Sequence, residues 1–211
     1  MSTNRWDLFC NVIDNFGDIA VSWRLARQLH ADHGCAVRLW VDDLATFHRL
    51  VAEVDVSAPM QRVDGVEIGH WTSDPDLGDP GDVAVDVFGS RAPHAFVERM
   101  AGGSPPPVWI NLEYLSAEDW VEGCHGMPSP HPQLPIVRHF FFPGFTAATG
   151  GLLEERDLAL DRFAFLRDST AGPATWAGWH FDPPAAGTTS VSPMSDTGPA
   201  AVIRNDTVAP R

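Results

Sequence analysis

Val12-Ile13-Asp14-Asn15-Phe16-Gly17-Asp18-Ile19 joins an apolar run, Trp6 to Ile13, to a periodic segment ending at Leu29. The first reads as a strand. In the second, Ile19, Val21, Trp23, Leu25, Ala26 and Leu29 fit one helical face, with Arg24, Arg27 and Gln28 on the other. A strand passing through a glycine-containing turn into a helix opens a βαβ unit. In a parallel sheet that turn lies at the carboxyl edge, where ligands bind. Most such turns hold phosphate on glycine amides at a helix N-terminus. Here the turn has one glycine, Gly17, and two carboxylates, Asp14 and Asp18, so it fits neither a GxGxxG nor a P-loop pattern. Like charge opposes a pyrophosphate, and the turn suits a cation instead. Two structural duties compete with that reading: Asp18 as a helix cap and Asp14 as the support of an Asx-turn. One aspartate is enough to cap, however, and the positive end of a helix dipole favours negative charge at both positions. Such a pair can grip a guanidinium or ammonium group, or accept a proton.

The same cadence continues outward. Ala36 to Val41 reads as a second strand, Leu44 to Val54 as a helix, and Val66 to Ile68 and Val83 to Val87 as further strands. Pro93 to Met100 reads as a helix opened by proline, and Val108 to Leu112 as another buried strand. The fold class expected for residues 1–166 is α/β, a Rossmann-like parallel sheet with helices on both faces. From 167 to 211 the chain is dominated by Ala, Thr, Ser, Pro and Gly and is expected to be disordered, because it cannot bury enough apolar surface to offset the entropy of ordering. Trp176 and Trp179 stand out there, either docked on the domain or read through an altered frame.

Composition removes whole classes of function. Of 211 residues, 44% are hydrophobic and 20% charged, and no window approaches the ~20 apolar residues a bilayer span requires. Acidic side chains outnumber basic ones 28 to 14, for a net charge of -14, so neither nucleic acid nor an anionic membrane is an expected partner. Cys10, Cys35 and Cys124 are odd in number and widely spaced, which reads as reduced thiols. The start of the chain lacks the pattern of a secretory signal, and a cytoplasmic location is expected.

A second dense region runs from Asn111 to Gly126. Ser116 to Asp119 matches a helix capping box, placing Glu118, Asp119 and Glu122 on a solvated helix face. Glu113 and Tyr114 precede the cap and are better placed for a cleft; Tyr114 is the only tyrosine in the chain. The spacing of His125, His131 and His139 fits no zinc motif, so no metal is expected, and no nucleophile elbow or cysteine signature is present. Phe140-Phe141-Phe142-Pro143-Gly144-Phe145 reads as an aromatic strand packed in the core. The pair Gly150-Gly151 beyond it serves either a ligand or a tight turn.

Val12 to Ile19, Trp23-Arg24-Leu25-Ala26-Arg27-Gln28-Leu29, Asn111 to His131 and Phe140 to Leu153 together resemble the bacterial protein-arginine rhamnosyltransferases that modify elongation factor P. The resemblance covers roughly residues 6 to 165. It implies an inverting glycosyltransferase of GT-B architecture, whose N-terminal domain receives the acceptor protein and whose C-terminal domain holds dTDP-β-L-rhamnose, with no further cofactor. It carries the family's paired aspartates onto Asp14 and Asp18, with Asp18 as the catalytic base. Asn15, Phe16, Gly17, Glu113, Tyr114, Gly150 and Gly151 become candidates to line the acceptor or donor cleft. After about Leu166 no second βαβ series follows, so the donor half is expected to be missing and activity to be slight or absent. A non-catalytic module that binds elongation factor P, or an inactive remnant, is the alternative.

Overall fold

The structure, a computed structural model, describes residues 4–13, 16–71 and 77–156. The chain order is β1 (Arg5–Cys10), α1 (Phe16–Ala31), β2 (Ala36–Val41), α2 (Leu44–Leu50), β3 (Met60–Val63), β4 (Val66–His70), β5 (Val83–Val87), α3 (His94–Ala101), β6 (Val108–Leu112), α4 (Trp120–Cys124), β7 (Pro128–Pro130) and β8 (Val137–Phe141). The strands form one sheet in the order β3-β4-β2-β1-β5-β6-β8-β7. All neighbouring pairs are parallel except the two at the edges, β3 with β4 and β7 with β8. The chain winds outward from the centre in both directions: β1, β2 and β4 to one side, β5, β6 and β8 to the other. The loops after β1 and β5 therefore part at the carboxyl edge, which opens a crevice there.

Alternation along the strands builds a core on each face. Leu8, Leu39 and Val85 pack with Ile19, Trp23 and Ala26 of α1 and Leu44 and Phe47 of α2. Their neighbours Phe9, Trp40 and Ala84 pack on the opposite face with Phe96, Val97 and Met100 of α3. Full burial of each Leu, Ile, Val, Phe or Met among them stabilises the fold by about 1.5–3 kcal/mol. The fold is thus Rossmann-like, with helices on both faces. Among the described residues no helix is long and apolar enough to cross a membrane.

Two buried aspartates tie strands together on the α3 face. Asp7 accepts from Arg38 Nε at 2.6 Å and from the Gly81 amide at 2.7 Å. Asp86 accepts from the Ala92 amide, Trp109 Nε1 and an Arg138 guanidinium nitrogen, each at 3.1 Å. Burial pushes the Asp86 carboxyl up to about 6, although Arg138 and these hydrogen bonds oppose the shift.

Several boundaries differ from the sequence reading. The first strand stops at Cys10, not Ile13, because the Asn11 and Val12 amides leave the ladder for Ser90 Oγ (2.7 Å) and Asp42 Oδ1 (2.8 Å). The following helix begins at Phe16, which puts Asp18 inside its first turn. The helix expected over Leu44 to Val54 ends at Leu50; Asp43 caps its start through the Thr46 amide, and Val51 is already extended. The β3–β4 hairpin was not anticipated, although its Asp64-Gly65 turn, with φ values of 47° and 80°, is the pair that a two-residue hairpin with both central residues left-handed requires.

The Ser116–Asp119 capping box does not form. Ser116 Oγ accepts from Glu118 two residues on, and the short α4 starts only at Trp120. Pro128–Pro130 forms a short edge strand. The aromatic strand is Val137–Phe141; Phe142 beyond it is buried, whereas Phe145 is 63% exposed and contributes nothing to the core. The tail from 167 to 211, with Trp176 and Trp179, lies outside the described residues, as do Asp14 and Asn15.

Candidate functional site

The loop leaving β1 is held by carboxylates. Asp42, at the end of β2, accepts from Asn11 Nδ2 at 3.0 Å with one oxygen and from the Val12 amide at 2.8 Å with the other. Asp18 accepts from the Ile13 amide at 3.0 Å through Oδ2. Backbone donors that would otherwise be exposed at a sheet end are thus satisfied one after another. Asp18 lies in the first turn of α1, where the helix dipole favours negative charge, and is 1% exposed. Ile13, whose amide it holds, projects its own side chain 79% into solvent.

The second oxygen of Asp18 reaches across the crevice. The Tyr114 hydroxyl, from the loop after β6, donates to Asp18 Oδ1 at 2.9 Å. The Tyr114 ring stacks on Phe88, at the end of β5, with centroids 4.0 Å apart and planes within 5°. Phe88 sits in the left-handed region at φ 52°, followed by Gly89 at 75°. A bulky side chain is uncommon there, and such strain concentrates at functional sites. The Phe88 amide donates to Leu112 O at 2.8 Å, so the ends of β5 and β6 are joined beneath the ring pair.

Tyr114 also borders a mostly apolar groove of about 610 Å³ on the α1 face, lined by Val21, Arg24 and Leu25 of α1, Ile110 and Leu112 of β6, and Phe141 of β8. Glu113, Gly150 and Gly151 line it as well. Glu113 accepts from Asn111 Nδ2, and its own amide donates to Phe141 O at 2.9 Å. The structure therefore brings Glu113, Tyr114, Gly150 and Gly151 to one groove, with Asp18 outside its lining but hydrogen-bonded to Tyr114. Both glycines have a structural use there. A Cβ on Gly150 would meet the Phe141 ring at 2.3 Å, and Gly151 has φ 75°. Phe16 and Gly17 are exposed at the start of α1, and the placement of Asp14 and Asn15 falls outside the described residues. Along one side of the groove, Arg24 forms a bidentate pair with Glu155 at 2.8 and 2.9 Å, which holds the Glu155 carboxyl below its usual range.

The histidines serve their loops. His125 Nδ1 accepts the Phe142 amide and His131 Nδ1 the Leu134 amide, each at 3.1 Å. Cys10 is buried beneath the β1–α1 loop, and its thiol is pushed up to about 12 chiefly by burial, so it is not a ready nucleophile. Asp42, Ser90 and Phe88 shape the site but were not found from the sequence. Only Asp42, in the Asp42-Asp43 pair at the carboxyl end of a strand, left a signal there.

The chain has known relatives in sequence. The family model described as elongation factor P (EF-P) rhamnosyltransferase EarP matches residues 6–200. A protein-arginine rhamnosyltransferase of Pseudomonas putida is 51% identical over 177 residues, 84% of this chain and 47% of the relative. One of Pseudomonas aeruginosa is 46% identical over 166 residues, 79% of this chain and 44% of the relative. One of Shewanella oneidensis is 43% identical over 175 residues, again 79% and 44%. The chain spans under half the length of these curated relatives.

Proposed function

The chain belongs to the elongation factor P rhamnosyltransferase family, a family of glycosyltransferases, and from that premise we propose that its α/β domain is the acceptor side of a protein-arginine rhamnosyltransferase. In this reading an arginine of elongation factor P enters the crevice at the carboxyl edge and meets Asp18, with Asp14 as a second anion. The donor is dTDP-β-L-rhamnose, and no cofactor takes part. The observation that supports the reading most is the buried Asp18 carboxylate, held between the Ile13 amide and the hydroxyl of Tyr114, which lines the groove.

The chemistry explains the carboxylates. A guanidinium, with a pKa above ~12, is a poor nucleophile that no ordinary base deprotonates in advance. A carboxylate pairs with its planar fork and aims one terminal nitrogen at the anomeric carbon. As the C–N bond forms, the C–O bond to the diphosphate breaks and dTDP leaves with the electron pair. The nitrogen gives up its proton to Asp18. One in-line displacement inverts the anomeric centre.

The diphosphate needs positive groups or a helix N-terminus free of anions, whereas the first turn of α1 already carries Asp18. The donor-binding groups accordingly belong outside the β1–α1 loop. Incubation of the purified chain with elongation factor P and dTDP-β-L-rhamnose, read by mass spectrometry of the acceptor and by calorimetry, tests the proposal. Association supports it, with or without transfer of a deoxyhexose. Absence of both overturns it.

A further inference from the structure

Asp18 is 1% exposed, whereas its hydrogen-bond partner across the chain, Tyr114, is 53% exposed. The hydroxyl on Asp18 Oδ1 and the stack on Phe88 anchor a half-exposed ring to a buried carboxylate. A phenol offers that carboxylate one neutral donor. A guanidinium offers two parallel N–H donors and a full positive charge, a stronger partner for the same oxygen.

We propose that the Tyr114 hydroxyl is a placeholder for the acceptor's guanidinium: it occupies Asp18 Oδ1 in the free protein and yields that oxygen when the arginine arrives. This rests on the acceptor reading above and adds to it the residue that controls access to Asp18. Phe88 holds the ring in place from the end of β5, so it sets how readily Tyr114 leaves. Acceptor affinity is then reduced by the fraction of molecules in which Tyr114 is closed. A lysine ammonium, which lacks the planar fork, compensates less well for the lost hydroxyl bond, so the device also favours arginine.

Tyr114 is the only tyrosine in the chain, so ring-labelled [13C]tyrosine yields a single probe signal. The labelled 211-residue chain is titrated with unlabelled elongation factor P while calorimetry reads binding separately. The Tyr114 signal should move along the same isotherm as the heat. Tyr114→Phe keeps the ring and loses the hydroxyl, so it should bind elongation factor P about tenfold more tightly. Phe88→Leu, which keeps the hydroxyl and loses the stack, should bind more tightly by a smaller factor and supplies the second readout if Tyr114→Phe folds poorly. Binding heat with a stationary Tyr114 signal overturns the placeholder while leaving the acceptor reading intact. Equal or weaker binding by both variants does the same. Absence of heat for all three proteins overturns the acceptor reading and the placeholder together.

Discussion

The Tyr114 hydroxyl donates to Asp18 Oδ1 at 2.9 Å across 96 residues of chain, joining the loop after β6 to the first turn of α1. The other oxygen of the same carboxylate holds the Ile13 amide. Asp18→Ala removes the acceptor for that buried amide and should lower the unfolding free energy by about 2–3 kcal/mol. Asp18→Asn retains one acceptor oxygen and should cost about 1 kcal/mol. Urea unfolding at unchanged m-value measures both. Equal losses would show that the carboxylate does not organise the loop.

Asp42 pins the same loop from the other side through Asn11 Nδ2 and the Val12 amide. Asp42→Ala should make hydrogen exchange at the Val12 amide at least about tenfold faster, as expected when a bond worth about 1.5 kcal/mol is lost. Exchange at Leu39 in the centre of the sheet should change less. Equal acceleration at both amides would mean that the whole fold had loosened instead.

Gly150 owes its identity to the Phe141 ring, which a Cβ would meet at 2.3 Å. Gly150→Ala should destabilise by about 1–3 kcal/mol through overpacking. Phe141→Leu in the same chain should recover part of that loss. Destabilisation by the pair equal to the sum of the two single changes would contradict the contact.

Asp86 predicts a pH effect of definite sign. Its carboxyl is raised to about 6 in the fold by burial, against about 3.9 in an unfolded chain. Between those values the folded state holds the proton more tightly, so this contribution to stability is complete below about pH 4 and is lost as pH rises through 6. Asp86→Asn stays neutral throughout. Relative to the native chain, its unfolding free energy should improve by on the order of 2 kcal/mol between pH 4 and pH 7. A difference that stays constant with pH would contradict the assignment.

What could be read from the sequence follows from how local each signal is. The βαβ opening and the acidic turn at Asp14 and Asp18 lie within one short stretch, where apolar period and charge are both visible. The meeting of Tyr114 with Asp18 is a product of sheet order, which sets β5 beside β1 and brings the loop after β6 across the crevice. Phe88 gave no warning, because its left-handed backbone follows from the link between the ends of β5 and β6. The Ser116–Asp119 pattern misled for the opposite reason. A capping box needs a helix to cap, and the Ser116 amide turns instead toward Pro143 O, while the helix waits until Trp120.

The most direct test of the acceptor account is calorimetric titration of elongation factor P into the native chain and into Asp18→Asn, repeated with an acceptor whose modified arginine is replaced by alanine. The account predicts measurable binding for the native pair and a loss of about tenfold or more from either change, as expected for a charge-assisted pair. Combining the two changes should add little further loss, because both remove one interaction. Equal affinity across all four combinations would contradict it.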